Sequence, residues 1–236
     1  MKVMDWSDYA CPYCYIGETH LKKAIENLNL TSQVDVEMLA FELDPTASKA
    51  YTGATVDRFA RKYGLSRNAA EARIEGISQM GQAAGLDFHY AQTRYTNTLD
   101  AHRLTKLAQL SPDKSLPDRL SERLYHAYFA ESLELSDHDV LLRIATEEGM
   151  DAEEVKALLS GDNFTMEVRL DEREAYRYGV HAVPYFLVNH RLAIPGALSA
   201  EQMEQVLRSA MAEEEATSDS GMMCGPEGCR IGDHLS

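Results

Sequence analysis

Apolar positions recur along the chain with two periods, one typical of strands and one typical of helices. Residues 2–6 and 34–41 are short runs rich in apolar and β-branched side chains, and both predict strands. Between them, apolar residues recur every three or four positions and predict a helix of about four turns over residues 12–29. Strand, helix and strand in this order predict a parallel pair joined by a right-handed crossover.

A long helical stretch comes next. From about residue 55 to residue 178 the apolar period is helical throughout. Short polar residues of the kind that cap helix N-termini precede the successive series, namely Ser66, Asn97, Ser136 and Asp151. Strand signals return in residues 183–188, and a tight turn at 189–190 leads to a partner strand over 191–194. A capping box of Ser199 and Gln202 then opens the last helix.

The order of elements is βαβ, then helices, then ββα, which predicts an α/β fold with a large all-helical insertion. Residues 1–50 and 179–212 form the predicted α/β core, whose two halves meet in one sheet. Residues 51–178 form the helical insertion. Residues 213–236 begin with an acidic stretch without periodicity, which predicts an acidic linker and a flexible C-terminal tail. This tail contains Cys224 and Cys229 in Cys-x4-Cys spacing.

Composition narrows the class of protein. The chain has 236 residues, and 44% of them are hydrophobic, which is ample for a globular core. Its formal charge of −15 repels phosphate backbones and argues against nucleic-acid binding. No segment approaches the roughly 18 apolar residues of a membrane span, and Asp5 and Asp8 interrupt the place of a signal peptide. We therefore expect a cytoplasmic protein without a membrane partner, either a monomer or a homodimer.

The cysteines occur as two close pairs, one near each end of the chain. A structural disulfide is not expected in the reducing cytoplasm. Cys11 stands at the predicted N-cap of the first helix, before Pro12, which suits the first helical position. Unpaired backbone N–H groups and the helix macrodipole stabilise a thiolate there. Cys14 lies one turn inside the helix, close enough to resolve a mixed disulfide by attacking the Cys11 sulfur.

A zinc half-site is the alternative, because Cys-x2-Cys is also a metal-binding spacing and the tail pair supplies two further ligands. Zinc pairs usually occupy knuckle-like turns. The strand–Cys-x2-Cys–helix context, with Pro12 and Tyr13 between the cysteines, favours redox chemistry instead. We therefore predict a dithiol site that binds no metal.

A second candidate segment is Val183-Pro184, where a proline heads an apolar strand. Proline removes one ladder donor, so it is tolerated only at a strand start or a bulge. An ordinary trans proline is the commoner case, but the presence of the dithiol motif favours a cis bond here. The Val183 backbone would then be open to pair with an extended substrate. His181 is a candidate for tuning the Cys11 thiolate, although a lone histidine is more often structural.

Three runs of sequence resemble the DsbA-like thioredoxin-fold family, and specifically its cytoplasmic FrnE-like branch. They are residues 8–17, 97–104 and 179–184, and the resemblance covers essentially the whole chain. The tail pair resembles the second cysteine pair of some members of that branch. The resemblance implies a thioredoxin fold with an all-helical insert, a nucleophilic Cys11, a resolving Cys14 and a cis-Pro184.

The second of these runs contains Asn97 and His102. The functional interpretation places them at the mouth of the active-site cleft, with Asn97 contacting substrate or cofactor. The alternative is a capped helix with polar surface residues, and this alternative is the stronger one for Arg103.

The leading hypothesis is a thiol–disulfide oxidoreductase or isomerase that acts on protein disulfides. Cys11 attacks and Cys14 resolves. No cofactor is expected to be bound, and glutathione or the thioredoxin system is the expected electron donor or acceptor. Cys224 and Cys229 are predicted to shuttle electrons to or from this pair as a tethered auxiliary dithiol. A metal-scavenging or merely oxidisable tail is the alternative.

The competing enzyme class is a glutathione-dependent isomerase or transferase of the kappa-class or hydroxychromene-carboxylate isomerase type. Such proteins resemble the chain in fold but usually have serine where Cys11 stands. They also tend to hold glutathione with a polar step ending in aspartate after the last strand. The corresponding residues 195–198 include no carboxylate, which favours the dithiol hypothesis. A zinc-binding or redox-sensing module is the non-enzymatic alternative.

Overall fold

The computed structural model describes the backbone of residues 1–219, 224–225 and 228–229, and the side chains of residues 1–214. Its main sheet contains β1 (Lys2–Ser7), β2 (Asp35–Ala40), β3 (Tyr185–Val188) and β4 (Leu192–Pro195), in the order β2-β1-β3-β4. β1 pairs with β2 in parallel and with β3 antiparallel, and β3 pairs with β4 antiparallel. The βαβ and ββα halves therefore meet in one sheet, as predicted.

The helices follow the predicted order. Helix α1 (Pro12–Asn27) connects β1 to β2, and α9 (Ala200–Asp219) follows β4. The region between β2 and β3 contains α2 (Thr55–Tyr63), α3 (Arg67–Ala83), α4 (Leu99–Gln109), α5 (Leu116–Phe129), α6 (His138–Glu147), α7 (Ala152–Ser160) and α8 (Thr165–Arg177). A turn of 3-10 helix, Tyr90–Gln92, precedes α4. The fold is thus the predicted thioredoxin-like α/β core with an all-helical insertion.

The sheet lies between two helical layers because side chains alternate along each strand. Val3 and Phe186 point to one face and pack in the same cluster as residues of α1 and α9. Met4 and Trp6 point to the other face, in a cluster that includes Ala175 of α8. The Trp6 indole Nε1 donates a hydrogen bond to a backbone carbonyl of α8 at 3.1 Å. The single tryptophan is therefore a core residue that joins the sheet to the insertion.

The largest buried cluster joins the insertion to the segment around the cysteine pair. Tyr15 of α1 stacks on Tyr125 of α5, with ring centroids 4.9 Å apart. Tyr128 and Phe129 are buried in the same cluster. The helical insertion therefore covers the start of α1, where the two cysteines lie.

The start of α6 and the end of α9 differ from their predicted positions. Helix α6 is capped by Asp137 rather than Ser136, because the Asp137 carboxylate accepts hydrogen bonds from two backbone N–H groups of the first turn. Helix α9 continues to Asp219, so the predicted linker does not start at residue 213. Residues 213–216 are Glu and Ala, which are strong helix formers. Glu214 also accepts a hydrogen bond from Asn189 Nδ2 at 2.6 Å, so propensity and a tertiary contact both favour helix beyond the apolar stripe that packs on the core.

The tail cysteines lie on two short strands, β5 (Cys224–Gly225) and β6 (Gly228–Cys229), which pair antiparallel with Cys224 opposite Cys229. Their side chains lie outside the described part of the chain. The predicted electron shuttle and its metal-binding alternative therefore stay predictions.

Within the described residues, each helix is too short or too polar to cross a lipid bilayer.

Candidate active site

Cys11 lies at the junction between β1 and α1. It is the N-cap residue of α1, with extended backbone angles (φ −91°, ψ 114°), and Pro12 occupies the first helical position. Its N–H donates to the Asp8 carbonyl at 2.9 Å, which closes the loop that leads into the helix. The N-cap position lies next to the unpaired N–H groups at the start of a helix, and these groups favour a nearby negative charge. The prediction that Cys11 occupies the N-cap position of α1 is confirmed, although its side chain makes no capping hydrogen bond.

Cys14 lies one turn further along α1, and its side chain is fully buried. Both cysteines are free thiols. Burial raises the pKa of Cys14 well above its ordinary value, and a hydrogen bond to Cys11 together with the charge of Cys11 raises it further. The raised pKa of Cys14 therefore keeps the proton on its thiol.

Pro184 faces the cysteine pair from the start of β3. The Val183–Pro184 peptide bond is cis, as predicted. The Cys11 thiol lies 3.6 Å from the Val183 carbonyl oxygen and points toward it as a donor. Gly17 of α1 makes this approach possible, because a Cβ there would lie 3.2 Å from Pro184 Cγ and 3.3 Å from Phe186 Cζ. β3 itself begins only at Tyr185, after the residue that has no N–H for the ladder.

A cleft of about 740 Å³ opens beside Cys11. The start of α1 and the segment before Pro184 form one wall, and α2 and α3 form the other. Among the predicted site residues, Cys11, Pro12, Tyr13, His181 and Val183 line it. From the insertion come three cationic side chains, Arg58, Lys62 and Arg73, and four aromatic ones, Phe59, Tyr63, Tyr90 and Tyr95. The structure therefore brings the motif, the proline segment and the insertion together around one sulfur.

Asn97 and His102 do not lie at the mouth of this cleft, and that expectation is wrong for both. Asn97 is buried, where its Nδ2 donates to Glu42 Oε1 at 3.1 Å and its Oδ1 accepts from the Leu99 N–H at 3.0 Å. Its amide therefore fixes the start of α4 rather than contacting a ligand. Arg103 is buried as well, contrary to the surface position expected for it.

His102 does not contact Cys11 directly but influences the site through Asp8. Its ring is buried, and Nε2 lies 3.7 Å from Asp8 Oδ1. Asp8 lies three residues before Cys11. Its carboxylate accepts hydrogen bonds from the N–H groups of Ala10 at 3.1 Å and Leu43 at 2.7 Å. Burial opposes ionisation of Asp8, but His102 and these amides outweigh it and lower the pKa of Asp8. Both residues thus position the loop that presents Cys11.

Two buried carboxyl groups lie behind Cys14, and sequence reasoning missed both. Asp5 of β1 accepts from the Ser7 hydroxyl at 2.7 Å, and Glu18 of α1 accepts from the Tyr125 hydroxyl at 2.8 Å. Burial raises the pKa of Glu18 to about 7, and burial together with the nearby Glu18 charge raises that of Asp5 well above its usual range. The charge of Asp5 is one of the causes of the raised Cys14 pKa. Protonation of Asp5 therefore makes Cys14 easier to ionise.

A signal for one of these carboxyls was present in the sequence. Glu18 follows Cys14 by four residues, so the two side chains share a helix face. Asp5 lies in a strand-like run, where no local pattern marks it as a site residue. The pair borders a second, smaller cavity of about 280 Å³ that shares no lining residue with the Cys11 cleft.

Metal ligation was the alternative for the cysteine pair. Within the side chains that the structure describes, His, Cys, Asp and Glu residues nowhere gather in a group of three or more that could hold an ion.

The chain was compared with known proteins. Residues 2–208 match the family model described as the DSBA-like thioredoxin domain. A probable DsbA oxidoreductase from Streptomyces coelicolor is 32% identical, with a TM-score of 0.84, over 99% of this chain and 100% of that one. A cytosolic disulfide reductase, DsbM from Pseudomonas aeruginosa with GSH, is 17% identical, with a TM-score of 0.61, over 92% and 100%. A 2-hydroxychromene-2-carboxylate isomerase is 13% identical, with a TM-score of 0.65, over 93% and 98%.

The similarity to the cytosolic reductase and to the isomerase is limited to the fold. The match to the family model, in contrast, spans nearly all of the described chain. On this basis, together with a cysteine at the N-cap of α1 that faces a cis-proline, the chain belongs to the family of DSBA-like thioredoxin domains.

Proposed function

We propose that this protein is a thiol–disulfide oxidoreductase that acts on protein disulfides through Cys11 and Cys14. The observation that supports this most is the asymmetry of the pair. Cys11 lies at a helix N-terminus and lines a cleft, with 3% of its surface exposed, whereas Cys14 is fully enclosed and has a raised pKa. Nucleophilic attack requires a thiolate, so the pair has one attacking and one resolving member.

The reaction proceeds in two exchanges. The Cys11 thiolate attacks one sulfur of the substrate disulfide, a Cys11–substrate bond forms, and the other substrate sulfur leaves as a thiolate that takes up a proton. Cys14 then loses its proton and attacks the Cys11 sulfur. An intramolecular disulfide forms, and the second substrate thiol is released. Two electrons pass from the enzyme dithiol to the substrate, and the reverse sequence oxidises a substrate dithiol.

The surrounding residues assist particular steps. Burial and the nearby Glu18 charge raise the pKa of Asp5, and a proton held on Asp5 lowers the cost of ionising Cys14 when it resolves the mixed disulfide. The Val183 backbone, adjacent to the Cys11 sulfur, is positioned to pair with an extended substrate segment. Pro184 keeps this segment against α1 through its contact with Gly17.

Reduction of insulin by dithiothreitol tests the proposal. We expect the full-length protein to accelerate reduction, Cys11→Ser to fall to the uncatalysed rate, and Cys14→Ser to accumulate a mixed disulfide with insulin. The same two substitutions made in a Cys224→Ser/Cys229→Ser background serve as the control, because in that background every effect belongs to Cys11 and Cys14. Full activity of Cys11→Ser would refute the proposal.

Glutathione is the second candidate partner, either as electron donor or as a reactant in isomerisation or transfer. The cationic lining of the cleft favours this, and the cytosolic reductase from Pseudomonas aeruginosa, whose fold is similar, was solved with GSH. Activity on a small molecule that requires glutathione and survives Cys14→Ser would favour the isomerase or transferase class. Loss of activity in that variant would favour the dithiol mechanism, with glutathione or the thioredoxin system as donor.

The direction of electron flow follows from the reduction potential of the pair. A value near −270 mV would make the protein a reductase, and one near −120 mV an oxidant or isomerase, by comparison with thioredoxin-type and DsbA-type proteins. We further propose a cytoplasmic location and membership in the FrnE-like branch, with Cys224 and Cys229 as a tethered auxiliary dithiol. Slower turnover of the Cys224→Ser/Cys229→Ser variant with a protein substrate would support that role.

A further inference from the structure

The cleft beside Cys11 differs in charge from the rest of the molecule. The whole chain has 38 Asp and Glu residues against 23 Lys and Arg. Yet the residues lining the cleft include Arg58, Lys62 and Arg73 and, within the described structure, no Asp or Glu. The insertion therefore places three positive charges around a reactive sulfur in a protein whose net charge is −15.

These three cations are not neutralised by neighbouring acids. Considering the residues of known placement, none of them forms an ion pair with a carboxylate. Arg67, which begins the same helix α3, behaves differently, because it pairs with both Asp57 and Glu71. Acidic partners are therefore present in this region, but among the described residues Arg58, Lys62 and Arg73 form no ion pair with them.

Arg58 is held in place without an anionic partner. Its guanidinium carbon lies 3.9 Å above the ring of Tyr95, a cation–π contact that restrains the side chain. Its Nε is buried and has no hydrogen-bond partner in the described structure. Because this guanidinium has no carboxylate partner in the described structure, its charge is available to a carboxylate that enters the cleft.

The cleft also presents apolar surface to a ligand of more than a few atoms. Tyr13 is 39% exposed, Tyr63 51% and Met80 47%, and all three line it. Its volume lies in the range of sites that bind small ligands or a short peptide segment. Rings and a thioether next to unpaired cations fit a peptide that has both carboxylates and apolar side chains.

We propose that this cleft selects peptide disulfides in which carboxylate side chains flank the cysteine, with Arg58, Lys62 and Arg73 as the specificity-determining residues. The inference rests on the proposed function. The acidic surface repels such partners at a distance, but screening limits that repulsion to about 8 Å at physiological ionic strength. Within the cleft the three nearby cations then decide which flanking residues are preferred.

Three synthetic cystine peptides test the inference. They are identical except that the residues next to each cysteine are Glu, Gln or Lys, and their reduction is followed with dithiothreitol as the final electron donor. We expect kcat/KM to be about tenfold higher for the Glu peptide than for the Lys peptide at low ionic strength. The ratio should approach one in 1 M NaCl, where the screening length is about 3 Å.

The variant Arg58→Gln/Lys62→Gln/Arg73→Gln should lose this preference. The measured quantity is the ratio of two substrates on one preparation, so partial misfolding of the variant does not affect it. Arg61→Gln is the matched control, because Arg61 lies on α2, is exposed and does not line the cleft. It should keep the wild-type ratio.

Each outcome bears on one claim. Equal kcat/KM for the three peptides, or a preference that survives in the triple variant, would overturn the inference, while turnover of the Gln peptide still supports the proposed function. Absence of turnover for every peptide would instead reject the proposed function. Glutathione disulfide is run in parallel. If it alone shows the dependence on salt and on the three cations, the assignment to peptide flanks is wrong and the cations recognise glutathione.

Discussion

Substitution of Glu18 by glutamine should change how the stability of the protein depends on pH. Glu18 is buried in α1, accepts a hydrogen bond from the Tyr125 hydroxyl and lies close to Asp5. Glutamine preserves its shape and its acceptor oxygen but does not ionise. The variant therefore resembles the wild-type protein in which Glu18 is protonated.

The magnitude follows from the pKa of Glu18, which burial raises from 4.5 to about 7. At 1.36 kcal/mol per pKa unit, this rise corresponds to about 3 kcal/mol. The folded protein holds the proton more tightly than the unfolded chain, so the free energy of unfolding decreases as the pH rises from about 4.5 to about 7. Glu18→Gln escapes this loss. Relative to wild type, it should gain about 3 kcal/mol between pH 4.5 and pH 8.

Urea unfolding of the reduced proteins at pH 4.5 and pH 8 measures this difference. Glu26→Gln is the matched control, because Glu26 lies on the same helix and is exposed. Its offset from wild type should be the same at both pH values. An offset for Glu18→Gln that also stays constant would refute the assignment of a raised pKa to a buried Glu18.

Three further substitutions test other parts of the structure. Gly81→Ala should destabilise the protein by roughly 1–3 kcal/mol, because its Cβ would overlap the buried ring of Phe88, whereas Gly76→Ala on the same helix meets no atom within 4 Å and should not lower the melting temperature. Arg103→Ala should cost about 3–5 kcal/mol in denaturant unfolding, since it removes a buried ion pair and hydrogen bonds to three backbone carbonyls. Asp8→Asn should lower the free energy of unfolding at pH 7 by about 1–3 kcal/mol. Because folding lowers the pKa of Asp8, the ionised carboxylate stabilises the folded protein above the ordinary aspartate pKa, and this stabilisation is lost as the pH falls. The difference in unfolding free energy between wild type and Asp8→Asn should therefore become smaller in acid.

The parts of the fold that depend on local chemistry were predictable from the sequence. A strand, Cys11 before Pro12 and a helical apolar period suffice to place the sulfur at an N-cap, and the structure confirms it. The proline at the head of β3 was predictable for the same reason, because its missing N–H excludes it from the ladder. These features depend on a few neighbouring residues.

Features that depend on how helices pack were not predictable. His102 and Arg103 are polar, and polarity alone suggested the surface. They are buried because α4 lies between other helices of the insertion, where hydrogen bonds satisfy Arg103. The same applies to Asp5 and Glu18, whose raised pKa values arise from burial against α5 and the sheet. No local pattern reports such burial.

The cationic lining of the cleft was likewise invisible in the sequence. Arg58 and Lys62 are separated from Cys11 by more than forty positions, and the whole-chain charge points the other way. Only the folding of α2 and α3 against the start of α1 brings them to the sulfur. The net charge of the chain therefore did not predict the positive charge of the residues that line the cleft.

Alkylation of the reduced wild-type protein tests whether Cys11 is the attacking thiolate and Cys14 the protonated partner. Limiting iodoacetamide is added at pH 7, and the modified residue of the pair is identified by peptide mass spectrometry. We expect modification at Cys11, with Cys14 reacting far more slowly because it is fully enclosed and its pKa is raised. Equal or faster modification of Cys14 would contradict this assignment.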